Sequence, residues 1–166
     1  MNAIASTGTA NVPLSRSLVW GAFGGLIGGV AMAMFSMFVA ISEDGFWAPV
    51  RGITSVVFGD EHYGGGFAFG SVVVGAMGHM MNSLVLGAVF ALIVTLLLAR
   101  ASSAVVLGAG MVFGLMVWLV MVPGLAAEAQ SSELFVDAVP AWAWIVGHVM
   151  FGVVTAAVFI TGRQRE

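Results

Sequence analysis

Gly78-His79-Met80-Met81-Asn82-Ser83-Leu84-Val85-Leu86-Gly87-Ala88-Val89-Phe90-Ala91 contains no charged residue. It matches Gly147-His148-Val149-Met150-Phe151-Gly152-Val153-Val154-Thr155-Ala156-Ala157-Val158-Phe159-Ile160 without a gap. Seven of the fourteen positions are identical, the Gly-His pair among them. Each stretch lies inside a longer uncharged run, one between His62 and Arg100, the other between Asp137 and Arg163. Two further runs, from Arg16 to Glu43 and from Arg100 to Glu128, bring the total to four. A helix needs about 20 apolar residues to cross a hydrocarbon core roughly 30 Å thick, so each run is long enough. The expected spans are 18–41, 69–98, 105–125 and 142–160. A membrane barrel would need short alternating segments; these runs are continuous. The expected fold is therefore an all-α integral membrane protein, a four-helix transmembrane bundle built from a tandem two-span repeat.

Composition agrees. Of 166 residues, 60% are hydrophobic and 8% are charged, with no lysine; a soluble domain carries about 25% charged residues. There is no cysteine, which excludes disulfides and thiolate chemistry. The first fifteen residues are small and polar, and the run after them is too long for a cleavable signal, so it is expected to stay as an anchor. Arg16, Arg100, Arg163 and Arg165 flank one side of the spans and only Arg51 the other. The positive-inside rule then puts both termini in the cytoplasm. The outward loops hold Glu43, Asp44, Asp60, Glu61, Glu128, Glu133 and Asp137.

The domain reading is a flexible tail over 1–15 and one transmembrane domain over 16–166, with repeat halves of about 16–99 and 100–163. In the first helix of each half, Gly24-x-x-x-Gly28 stands against Gly110-x-x-x-Gly114. Two crossings per half give both halves one orientation, related by a pseudo-twofold axis along the membrane normal. Gly21, Gly25 and Gly29, with Gly24 and Gly28 alongside, form a ladder that lets backbones approach closely. Such a face serves packing within the bundle or docking of another subunit. In the first outward loop, Phe46, Trp47, Val50, Ile53, Val57 and Phe58 recur at helical spacing, with Arg51 and Ser55 on the other face. This predicts an amphipathic helix at the outer interface; a helix folded over the bundle mouth is the other reading. Asp60, Glu61 and His62 in the following glycine-rich turn are a weak cation signal.

The histidines are the candidate site. His79 and His148 are expected at similar depth, on two parallel helices. They could ligate one b-type haem from both faces, with Gly75, Gly78, Gly147 and Gly152 leaving room for the ring. Arg51 is the sole outward cation available to haem propionates. Met77, Met80, Met81 and Met150 raise Cu(I) as another ligand, although those near His79 do not share one helix face. The structural alternative is a pair of hydrogen-bonded locks, with Asn82 one turn from His79 in the same network. No carboxylate lies within a span, which leaves a thin path for a proton or solute transporter. Ser36, Ser71 and Ser83 have no base-plus-acid set, Gly64-Gly65-Gly66 is not a phosphate loop, and there is no basic patch for nucleic acid.

Gly45-Phe46-Trp47-Ala48-Pro49-Val50-Arg51, followed by Trp142-Ala143-Trp144-Ile145-Val146-Gly147-His148-Val149-Met150-Phe151-Gly152, resembles a widespread group of small four-span prokaryotic membrane proteins, loosely similar to YagU-like inner-membrane proteins. The resemblance covers most of the chain beyond the tail. It implies a fold and carries no activity or catalytic residue. The expected function is a non-catalytic accessory subunit that packs against other membrane subunits or itself and has no cofactor. A haem-binding redox subunit and a small transporter or Cu(I)-handling protein are the alternatives.

Overall fold

A computed structural model describes residues 13–128 and 132–164, with side chains for 13–122 and 134–164. Six α-helices follow one another among the described residues: α1 (Leu14–Ala40), α2 (Ala48–Phe58), α3 (Phe69–Leu97), α4 (Ser103–Glu128), α5 (Ser132–Asp137) and α6 (Ala141–Gln164). No strand occurs among them. α1, α3, α6 and the Ser103–Val122 part of α4 are long and apolar enough to cross a membrane. The chain is an all-helical bundle of the multi-pass membrane type. α1 starts at Leu14, within the expected tail; residues 1–12, Arg165 and the side chains of Glu128 and Glu133 lie outside the described residues.

Glycines set how the long helices meet. α1 lies between α3 and α6, and α6 lies between α1 and α4. On one face of α1, Gly21 and Gly25 sit on Ser83, Gly87 and Ala91 of α3, so close that a Cβ at either would strike α3 backbone. On the other face, a Cβ at Gly24 would come 2.7 Å from the Thr155 carbonyl oxygen, and one at Gly28 would come 2.7 Å from that of Phe151. The α4–α6 seam repeats the α1–α3 seam: Gly110 and Gly114 sit on His148, Gly152 and Ala156. Lipid is as apolar as leucine, so close van der Waals packing of this kind drives helix association in a bilayer. The glycine ladder is consumed within the chain.

Matching these two seams pairs Gly21 and Gly25 with Gly110 and Gly114, and Ser83, Gly87 and Ala91 with His148, Gly152 and Ala156. This register differs by one helical turn from the gapless sequence match. It sets His148 opposite Ser83 and leaves His79 corresponding to Trp144. A full twofold arrangement would also repeat the α1–α6 seam between α4 and α3. Instead α3 and α4 barely touch. The same register explains why: Phe113 and Val117 of α4 stand where α1 has Gly24 and Gly28, and Phe90 of α3 stands where α6 has Thr155. Phe90 and Phe113 meet through their rings, with centroids 5.4 Å apart, and hold the helices at side-chain distance.

The end of the bundle that carries α2 and α5 is roofed. Pro49 occupies the first turn of α2, where its missing N–H costs nothing. Gly59, at φ +108°, ends the helix. The α2 backbone reaches α3 at Gly75, where a Cβ would strike the Val50 carbonyl, and Thr54 Oγ1 donates to the Ser71 carbonyl (2.6 Å). Gly52 packs against the Phe135 ring of α5, a short helix absent from the sequence reading. Ala48, Pro49, Val50, Gly52, Thr54 and Ser55 are buried, whereas Val57 and Phe58 are exposed. The stripe is thus only partly a lipid-facing face, and α2 covers the bundle mouth rather than lying free beside it. Phe46 and Trp47 are half-buried just before the helix, edge-on to each other. Arg51 holds the connection to α3 by donating to the carbonyls of His62 (2.8 Å), Tyr63 (2.8 Å) and Gly66 (3.1 Å).

Candidate functional site

Beneath this roof the four long helices do not fill the space between them. A cavity of about 330 Å³ lies among α1, α2, α3, α4 and α6. Its walls are mainly apolar: Met32 and Ala33 of α1, Ile53 of α2, Leu86 of α3, Val117 and Met121 of α4, Phe135 of α5, and Trp144 and Phe151 of α6. Ser36, His79, Asn82, Ser83 and His148 are the polar members. No Asp, Glu, Lys or Arg is among the described residues lining it. At the other end of the bundle Phe90, Ala91, Val94, Val106, Ala156 and Phe159 close into a solid core.

Both predicted histidines line this cavity, in different roles. His79 makes an Nε2 hydrogen bond across to the Gly29 carbonyl of α1 (3.0 Å), and Ser83 Oγ donates to the His79 carbonyl (2.8 Å). His79 thus ties α3 to α1. His148 bonds through Nδ1 to the Trp144 carbonyl of its own helix (2.7 Å). A carbonyl only accepts, so in the uncharged ring Nδ1 carries the hydrogen and Nε2 is left as an acceptor. Among the described residues no protein group bonds that nitrogen. Trp144, beside it, donates Nε1 to the Val136 carbonyl of α5 (2.8 Å).

Ser36 is the residue that sequence reasoning passed over. It is 4% exposed, and its hydroxyl has no hydrogen-bond partner among the described residues. The hydroxyl points at α6 beside His148: a Cβ on Gly147 would stand 3.6 Å from it. An unsatisfied buried hydroxyl costs about 1–3 kcal/mol. The signal was present in the spacing, because Ser36 falls seven residues after Gly29, on the small-residue face of α1.

Asn82 donates to the Met121 sulfur across the α3–α4 gap (3.5 Å) and does not join His79. Met77 and Met81 are exposed on the outside of α3, so these two methionines do not converge with His79. Among the described residues no three His, Asp or Glu side chains gather as a metal site. In the roof, His62 Nδ1 is 3.2 Å from Ser71 Oγ, and the Tyr63 hydroxyl donates to Asp44. Burial, and then the Asp44 carboxylate, push the Tyr63 phenol above its ordinary value.

The cavity is concave, largely apolar and bears a few convergent polar groups, the usual form of a small-molecule site. It has room for an uncharged molecule, and Ser36 and His148 are lining residues with hydrogen-bonding atoms unused by the described residues. The chain matches no protein-family model, no curated protein and no solved structure.

Proposed function

We propose that this chain is a non-catalytic integral membrane protein that holds a small uncharged molecule inside its bundle. The carrying observation is that Ser36, whose buried hydroxyl has no partner among the described residues, lines the same cavity as His148, whose Nε2 bonds no described residue. An apolar filler would leave that hydroxyl unsatisfied; a molecule with a polar group would satisfy it. The arginine distribution supports a prokaryotic plasma membrane with both termini in the cytoplasm. An accessory role in a larger assembly draws no support from the glycines, which face helices of the same chain. Haem held between His79 and His148 is the weaker reading, because the His79 Nε2 is spent on the Gly29 carbonyl.

The test is mass spectrometry of purified protein released from detergent, wild type beside Ser36→Leu, with solvent extraction of each. A neutral molecule carried by the wild type and missing from a folded Ser36→Leu variant is the expected result. A wild type that carries none would overturn the reading. A reduced-minus-oxidised spectrum on the same samples separates the redox alternative: a Soret band lost in His79→Ala/His148→Ala would put haem in its place.

A further inference from the structure

Three features of the cavity say more about its occupant: where it opens, what it lacks, and which hydrogen-bonding atoms it leaves free. Among the wall residues, Val57 of α2 and Asn82 of α3 are exposed to the surroundings. The mouth therefore lies beside α2 and α3, where Met121 of α4 also borders the cavity. Asn82 is thirteen residues past Phe69 in a helix of 29 residues, so it lies roughly 20 Å along the axis at 1.5 Å per residue, near mid-length. An opening at that depth faces hydrocarbon, not water. A mid-span asparagine amide that faces outward with only a thioether for a partner is costly in lipid, which marks this rim as something other than an ordinary lipid-facing surface.

Building on the binding reading above, we infer that the cavity is loaded sideways from the bilayer, past the Asn82–Met121 contact that spans the α3–α4 seam, by a neutral lipid-like molecule bearing a hydroxyl group. A hydroxyl both donates and accepts. It can give its hydrogen to His148 Nε2 or take one from Ser36 Oγ, the two atoms on lining residues that have no partner among the described residues. An ester or ketone could only accept, and would leave His148 unmet. The uncharged wall excludes carboxylates and ammonium groups, whose desolvation nothing here would offset. The size also fits. An apolar cavity of about 150 Å³ accepts benzene, and this one is about 330 Å³, room for the head of such a molecule while its chain stays in the seam.

The absence of native cysteine allows a clean test. Ala33→Cys places one thiol on the cavity wall and leaves Ser36 and His148 in place. In sealed vesicles the introduced thiol is expected to react with an alkyl maleimide dissolved in the bilayer, and to resist a charged, membrane-impermeant thiosulfonate offered from either side. Adding Asn82→Phe, which fills the rim, is expected to abolish the maleimide reaction. Reaction with the charged reagent would show water access and overturn the lateral route. An alkyl maleimide reaction undiminished by Asn82→Phe would overturn it equally. The occupant's class is read by protection against the maleimide. Dodecanol should protect about tenfold better than dodecane, the ratio expected for one satisfied buried hydroxyl. Equal protection by the two would overturn the hydroxyl requirement, and protection by dodecanoate would overturn neutrality. Labelling needs no natural ligand, so the access route stands or falls separately from whether a molecule co-purifies.

Discussion

The α1–α6 and α3–α4 seams occupy corresponding places in the bundle, yet one is shut and the other is open. In the first, Gly24 and Gly28 bring α1 against the backbone of α6 at Phe151 and Thr155, and Thr155 Oγ1 donates to the Phe151 carbonyl (2.7 Å) while lying 3.4 Å from that of Gly24. In the second, Phe113 and Val117 stand in the glycines' place and Phe90 in that of Thr155. Both seams are apolar, so hydrophobicity cannot distinguish them in lipid. The difference lies in side-chain volume at three positions. It turns one pair of helices into a wall and the other into a doorway.

The largest effect should come from Phe90→Ala. Phe90 is 1% exposed and touches the rings of both Phe113 and Phe159. Its loss should destabilise the bundle by about 3–5 kcal/mol, read by denaturant unfolding in mixed micelles. Gly28→Val gives α1 the side chain that α4 already carries at Val117. It should cost about 1–3 kcal/mol by pushing α1 off α6; an unchanged stability would show that the closed seam does not depend on its glycines. Ser36→Ala should leave the empty bundle unharmed or more stable by about 1 kcal/mol, since it removes an unsatisfied hydroxyl, while the co-purified molecule is lost. Stability and occupancy moving in opposite directions would mark Ser36 as a binding residue and not a packing one.

The smallest effect concerns the roof over the open half. The Tyr63 phenol is held above its ordinary value of 10.0, first by burial and then by Asp44. A raised folded value means the neutral phenol is the form that fits. Its contribution is therefore fully present below about pH 10 and is lost as pH rises beyond it. Hydrogen exchange of the 59–66 connection should accelerate above that pH in the wild type. In Tyr63→Phe the alkaline step should vanish.

Much of the architecture was legible in the chain. Four uncharged runs marked the four long helices to within a few residues, because a bilayer demands length and apolarity above all else. Helical spacing in 46–58 announced α2, though not that it would fold over the bundle, since its apolar stripe suits a lipid surface and a protein lid equally well. The short α5 escaped notice for want of any periodic run. His79 and His148 were found as a pair through the repeated Gly-His, and both line the cavity. Their equivalence did not survive: the matched glycine seams put His148 with Ser83, one turn out of step, because packing follows the small residues and not the best string match. Ser36 fell on the small-residue face of α1 without belonging to a motif, and its importance comes from having no partner among the described residues.

Read along the chain, the residues specify a helical membrane protein, the number of its long helices, and glycine faces that let some of them touch. Those properties follow from local composition and spacing. The folded bundle adds which helices touch, that the ladder is spent inside the chain, and that a hollow lined by Ser36 and His148 remains. The physical reason is that a void is a property of the side chains of several helices meeting in one place. Val117 and Met121 of α4 border a space whose polar members come from α1, α3 and α6, and no reading along a single helix contains that fact.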